Sequence, residues 1–384
     1  MRKFNDLSSV METRDHFKNR ESFKSHAIRA VFSALVLISG FTICIAQNIS
    51  SSSQTQNQEI VKSVRKPDVY VAGHIDNHAV LWKNGIAQVL GEGKANSVFV
   101  SGNDVYVAGY EEFPLFNAIL WKNGVPHVLG KGRANSVFVS GNDVYVAGIQ
   151  ERDATLWKNG VALSLELWGN SVYVSGNDVY VAGIQERVAT LWKNGEAKKL
   201  TGGEIQKTSN SDGVYHYTTA HSVFVTGNDV YVAGEESYED NRMENPICIA
   251  KLWKNGVAQN LTNESSYAQA NSVYVSNNNV YVVGYEKIFL EKPPDLPDEI
   301  DNIYIQTAKL WKNGVMQDLG KDEANSVFVS GNDVYIAGSE LSEIVDEFGY
   351  LLPELVPVAK IWKNGEATFL SKNSSNAASI FVVE

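Results

Sequence analysis

Tryptophan, asparagine and carboxylate side chains recur in this sequence at spacings that could do chemistry. Seven tryptophans each open a Trp-Lys-Asn-Gly tetrapeptide, at Trp82, Trp121, Trp157, Trp192, Trp253, Trp311 and Trp362. An aromatic face repeated in this way can stack on sugar rings. It can also pack in a core, where burying roughly 200 Å² of indole contributes about 5 kcal/mol. Packing is the expectation, because a residue present in every copy is what packing demands. Trp168 alone stands outside the pattern and is a candidate for ligand contact. A second series is polar: Asn96, Asn135, Asn170, His221, Asn271 and Asn325 each precede a Ser-Val-(Phe/Tyr)-Val stretch, with Ala378 in the last copy. These groups could form a polar ring around a ligand, or they could satisfy backbone ends. His221 breaks the series, as the one residue in it of a type that can change charge near neutral pH.

Carboxylates form the third series. Residues 235–249 carry five acids and one Arg, 285–307 six acids and two Lys, and 339–358 five acids and no base. Glu239, Asp240, Asp295, Asp298, Asp301 and Asp346 are the candidate contacts there. Such a rim favours cationic partners or a hard cation such as Ca²⁺, although Asp295, Asp298 and Asp301 lack the spacing of an EF-hand loop. His74, Asp76 and His78 share one short segment and could bind a transition metal, but bring no third strong ligand, and His216 lies close in sequence to His221. No nucleophile elbow, phosphate-binding glycine loop, zinc-helix motif or dinucleotide fingerprint occurs. The reading is a non-catalytic protein that needs no cofactor. A hydrolase or lyase built from loop carboxylates is the catalytic alternative.

The positioning elements come from internal repetition. The tetrapeptide recurs at spacings of 39, 36, 35, 61, 58 and 51 residues. An Ala lies three residues before every repeat Trp and a Leu eight after it, from Ala79 and Leu90 to Ala359 and Leu370. Each copy parses into four short strands. In residues 95–130, ANSVFVS and DVYVAG flank Gly102-Asn103, and AILWK and VPHVL flank Asn123-Gly124. Both dipeptides supply the positive φ of two-residue hairpins. Apolar side chains fall at both parities, so both faces of each sheet should be buried. Four-stranded units that bury both faces on their neighbours are propeller blades.

Across residues 68–384 the pattern resembles seven-bladed β-propellers in general. The match lies in the repeat logic of SVFVSGNDVYVAG followed by A-x-L-W-K-N-G. The Gly-His…Trp-Asp pairing, the double-glycine signature and the Asp-box of narrower propeller families are absent, so no functional residues carry over. The fold expected is all-β, a seven-bladed propeller of four-stranded antiparallel blades. The first copy begins at its second strand, and Ala378–Val382 repeats the first-strand pattern of Asn96–Val100. The C-terminal strand is therefore expected to join the N-terminal blade and close the ring.

Strand alternation places the short turns on one face and the variable connections on the other. Connections of five residues are expected at 74–78, 149–153 and 184–188, and long loops at 201–219, 235–249, 285–307 and 339–358. Upstream, residues 30–46 are apolar behind a basic stretch, which reads as a secretory signal or a single membrane anchor. Residues 1–46 are thus export or anchor, 47–66 a flexible linker and 67–384 the propeller. With 33 Lys and Arg against 44 Asp and Glu, the net charge is −11, which argues against a nucleic-acid partner. Two cysteines cannot build a disulfide framework. These features together predict an exported monomer, periplasmic, cell-surface or secreted, with membrane contact only through an uncleaved N-terminal segment. Its long-loop face should hold a protein or peptide, cationic in character, with glycan as the alternative ligand.

Overall fold

A computed structural model describes residues 66–384 apart from 113–115, 152, 166–167, 201–213, 241–246, 264–265, 290–303, 322 and 343–354. The expected export segment and nearly all of the tether lie outside the described residues. Every regular element described is a strand, β1 to β27 in chain order. The chain is all-β, built from four-stranded antiparallel sets, each matching one copy of the sequence repeat.

The first set has the order β27–β1–β2–β3, from β27 (Ser375–Val383), β1 (Asp68–Ile75), β2 (His78–Lys83) and β3 (Ile86–Glu92). Its inner strand therefore comes from the far end of the sequence, with Asp68 opposite Val383 and Ile75 opposite Ser375. The inner strands of the second to seventh sets are β4 (Lys94–Ser101), the latter half of β7 (Val125–Ser140), β11 (Trp168–Ser175), β15 (Val214–Thr226), β19 (Tyr267–Ser276) and β23 (Glu323–Ser330). The 16-residue β7 serves as the last strand of one set and the first of the next.

Turn chemistry is as the dipeptides require. Asn84 and Gly85 both have positive φ, 52° and 80°, the pair of left-handed residues that a tight hairpin needs. The Asn84 side chain then locks the turn: its Oδ1 accepts from Val69 N at 2.8 Å and its Nδ2 donates to Asp68 at 2.8 Å. All seven repeat tryptophans are buried, which removes them as sugar platforms. Each packs on the set before it. Trp121 lies among Tyr70, Ala72, Ala79 and Leu81 of the first set, and Trp82 lies against Tyr335, Ala337 and Ala359 of the last. Apolar layers shared by consecutive sheets are the packing of a β-propeller.

Two further series tie the inner strands together. Val98 N donates to Ser379 Oγ, Val137 N to Ser97 Oγ, and the pattern repeats through Val172, Val223, Val273 and Val327 to Ile380, always at 3.2–3.3 Å. Phe99, Phe138, Tyr173, Phe224, Tyr274, Phe328 and Phe381 touch in turn, with centroids 4.7–5.0 Å apart, and Phe381 returns to Phe99.

The connections between second and third strands differ from expectation. The five-residue loops at 74–78, 149–153 and 184–188 are mostly strand. In the fourth set β12 (Asp178–Gln185) and β13 (Val188–Lys193) leave only Glu186 and Arg187, both at positive φ, to make the turn. The long segments are likewise paired at both of their ends. β16 (Asp229–Asp240) and β17 (Ile247–Lys254), β20 (Asn279–Phe289) and β21 (Tyr304–Lys312), and β24 (Asp333–Ser342) and β25 (Val356–Lys363) form hairpin arms. In the 201–219 segment, β15 already begins at Val214. Charged and proline-rich composition concealed this pairing, because hairpin arms outside a core do not need alternating apolar residues.

Candidate functional site

The face bearing the arms holds the inner-strand ends, and its geometry follows from one bulge. In the second to seventh sets the ladder skips a residue near the start of the inner strand, as between Ala95 and Ser97. The skipped residues are the polar series of the sequence. A bulge re-aims its extra side chain, and here all five amides of the series cross to the next inner strand. Asn96, Asn135, Asn170, Asn271 and Asn325 donate to the carbonyls of Ala134, Gly169, Ala220, Ala324 and Ala377 at 2.9–3.1 Å. They are clips between neighbours. His221 makes a different contact, 2.8 Å from Glu235 and 2.8 Å from Gln269.

Two residues before each bulge lies a position that the sequence reading passed over. Going round the sets it holds Asn376, Lys94, Arg133, Trp168, Thr219, Gln269 and Glu323, seven different residue types. The residue that follows is Ala or Gly in every set, and the Ser three further on is invariant. The backbone at this position is held tightly. A Cβ on Gly109 would stand 2.1 Å from the Lys94 carbonyl, and one on Gly183 2.0 Å from that of Trp168. That crowding explains the glycine of every xVYVxG element. Several of these side chains reach back over the preceding set. Arg133 stacks on Tyr110 and Phe116, at 4.7 and 5.0 Å. Gln269 meets His221, and Asn376 reaches Ser339 at 3.4 Å and Glu323 at 2.9 Å. Burial, and then the nearby Lys94, lower the pKa of His74 in the first set. Trp168 is 57% exposed. The signal available in the sequence was the variability itself, one position with seven identities inside a near-constant motif.

The arms stand on buried ion pairs. Lys309 is 3% exposed and lies 3.5 Å from Glu286 and 3.1 Å from Asp318. Lys360 pairs with Glu340 and lies 4.7 Å over the Trp362 ring. Lys251 pairs with Glu236 and Asn260. Burial alone would raise the Glu236 carboxyl, but His216, Lys251 and Tyr238 hold it down to about 2. His216 also stacks on Tyr238 at 4.4 Å. Three carboxylates assigned to an acidic rim are therefore engaged internally. The lysines that neutralise them lie just past the ends of the acidic segments, which is why a count over those segments overstated the free charge.

The remaining predicted contacts divide into two groups. Glu239 and Asp240 end β16, and their side chains fall outside the described residues. Asp295, Asp298, Asp301 and Asp346 also lie outside them. His216 and His221 engage Glu236 and Glu235, neighbours on one strand whose side chains leave opposite faces, so they are not brought together. Among the described residues no group of three His, Cys, Asp or Glu is arranged to hold a metal ion. Burial pushes the Cys248 thiol up to about 12, where it is an inert core group.

The opposite face is built from the repeated turns. Lys122 pairs with Asp104 at 2.8 Å and lies 5.3 Å over Tyr106, and the same triad recurs at Lys83, Lys158, Lys193, Lys254 and Lys363. A cavity of about 260 Å³ lies there, lined by Asp68, Tyr70, Lys83, Asn103 and Glu384 among others.

No protein-family model and no curated protein sequence matches the chain. Among solved structures it is similar to YjhT, with 11% identity over 71% of this chain and 96% of that one and a TM-score of 0.34. It is similar to a 6-phosphogluconolactonase-like protein of Bacteroides fragilis, with 12% identity over 84% and 99% and a TM-score of 0.38. It is also similar to TolB of Acinetobacter baumannii, with 10% identity over 81% and 82% and a TM-score of 0.39. At TM-scores below 0.5 these likenesses carry no argument about activity or partner.

Proposed function

We propose that the chain is a seven-bladed propeller closed by β27, working outside the cytoplasm as a non-catalytic binding or scaffold module. Its arm-bearing face recognises a protein or peptide. The observation that carries this reading is the asymmetry of that face. Four sets have only two to five residues between their second and third strands, while three consecutive sets extend hairpin arms on buried Lys–Glu pairs, a costly device for a surface with nothing to hold. The closed ring draws support from the Ser–backbone and aromatic series, each of which returns to its first member. Replacing residues 287–306 by a two-residue turn like Glu186-Arg187, which leaves Glu286 with Lys309, tests the binding surface, with oligolysine as probe. Salt-sensitive oligolysine binding that falls with the arm removed, at unchanged melting temperature, is the expected result. Equal binding without the arm would move the site elsewhere.

A glycan ligand is the second reading, favoured by the exposed Trp168 face. A glycan-array screen with and without Ca²⁺ addresses it. Saturable binding lost in Trp168→Ala would replace the peptide reading.

A further inference from the structure

Lys287 of the sixth set has aromatic rings where the arm anchors and turn lysines have a carboxylate. On β20, Tyr285, Lys287 and Phe289 alternate onto one face of the sheet. The ladder sets Tyr267 of β19 opposite Lys287, and Tyr304 of β21 opposite Phe289. All five side chains therefore share that face. The Lys287 ammonium lies 4.2 Å from the centre of the Tyr304 ring, 4.9 Å from that of Tyr267 and 5.9 Å from that of Tyr285. A cation is attracted to a ring face within about 6 Å of its centre, so all three rings hold it. Phe289 braces two of these walls in edge-to-face contact, at 5.8 Å from Tyr267 and 6.1 Å from Tyr304. Cys248 N donates to the Ser266 carbonyl at 2.9 Å, which ties the residue before Tyr267 to the fifth set.

The other lysines over rings show what is different here. In the turn triads the ammonium also meets an aspartate, as Lys122 meets Asp104. Lys360, over the Trp362 ring, also meets Glu340. Among the described residues Lys287 has no carboxylate in ion-pair range, and Gln306 opposite it is neutral. Burial pushes the Tyr285 hydroxyl up, so that wall stays uncharged. Rings of neutral tyrosine around a cation are the arrangement that recognises alkylated ammonium groups. A primary ammonium is the poorer guest, because it is strongly hydrated and must give up that water. A quaternary group holds water weakly and meets the ring faces with methyl groups. Lys287 keeps its place because it is tethered, which gives it an effective concentration of roughly millimolar order. Tyr304 is 46% exposed, so the cage opens to solvent along that wall.

We propose that the cage of Tyr267, Tyr285 and Tyr304 is a binding site for a quaternary ammonium group, which enters by displacing Lys287. The site goes beyond the peptide reading and depends neither on it nor on ring closure, since every wall belongs to the sixth set. No covalent step is involved.

The probes are choline and dimethylbutanol, its neutral isostere with carbon in place of the quaternary nitrogen. Each is titrated calorimetrically against the whole chain. Lys287→Ala empties the cage and should bind choline about tenfold or more tightly than the wild type, while ignoring dimethylbutanol. Adding Tyr304→Leu, which keeps an apolar contact for Phe289, should weaken that binding by about tenfold. In the wild type, choline should expose Lys287 and raise its acetylation by an amine-reactive reagent severalfold, read by mass spectrometry. That second measurement carries the test if Lys287→Ala fails to fold. Choline and dimethylbutanol bound alike would overturn the proposal, as would choline bound by neither chain or acetylation of Lys287 indifferent to choline. Choline taken up by the cage while oligolysine ignores the arm would support this site and sink only the peptide reading.

Discussion

The fourth and sixth sets run the same strands in the same order and part company at one pair of positions. In the fourth set Thr190 is buried and Gln185 ends the preceding strand beside a two-residue turn. In the sixth, the equivalent residues are Lys309 and Glu286, and the strands run on to Phe289 and back from Tyr304. The fifth and seventh sets repeat the substitution with Lys251 and Glu236, and Lys360 and Glu340. A hairpin that stops at the edge of the inter-sheet core can finish on a small or apolar residue. One that continues into solvent needs a polar anchor where it leaves the core, and a buried lysine with a cross-strand glutamate provides it. The difference teaches that the arms are integral to their sheets and are not loops appended to a finished blade.

The comparison can be broken by moving half of the device. Thr190→Lys should place an ammonium in the fourth set without its acid, destabilising the chain by about 3 kcal/mol or more. Adding Gln185→Glu should restore much of that loss, read as a coupling in a denaturant double-mutant cycle. Additive effects would mean that the pair is incidental. Trp157→Ala should cost a similar amount, about 3–5 kcal/mol, because it empties an inter-sheet core. Trp168→Ala should leave the melt unchanged, since the same residue type stands there in solvent.

A smaller effect separates the regions by pH. The Glu236 carboxyl has a folded pKa of about 2 against an ordinary 4.5. A depressed acid contributes stability that is complete above its unfolded value and is lost as pH falls through its folded one. The Glu236→Gln variant should therefore show a flatter stability profile than the wild type between about pH 4.5 and 2, measured by thermal melts. Identical slopes would show that the buttress carries no linked proton. The smallest expected change lies on the other face. Hydrogen bonds to Lys122 and Asn123 hold the Asp104 carboxyl low, yet that pair is exposed. The chain already carries Asn279 at the equivalent place in the sixth set, where it accepts from Asn313 at 2.8 Å. Asp104→Asn should shift the melting temperature by no more than about 2 °C.

Much of this architecture was legible because the repeats obey local rules. Asn-Gly and Gly-Asn announced the hairpins, burial followed from the sevenfold Trp, and the Asn series was readable as either clip or site. The arms were not legible, since β20 continues through Glu286, Lys287 and Ile288 without alternation and reads as loop. Their lysine anchors sit inside the Ala-x-Leu-Trp motif, where one substituted letter looks like noise. The variable position two residues before each bulge was missed for the opposite reason. A search for repeated residues passes over a position whose content is that nothing repeats.

The pairing of β27 with β1 has a consequence for synthesis. β1 is complete once Ile75 is made, but its inner neighbour is the nine-residue strand that ends at Val383. At about 5–20 residues per second, roughly 15–60 s of translation separate the two. Throughout that interval one long edge of the first sheet has no partner of its own, and a second nascent chain could supply a β27 to it. Any cell making this protein must hold the growing chain apart from its copies until the last strand arrives.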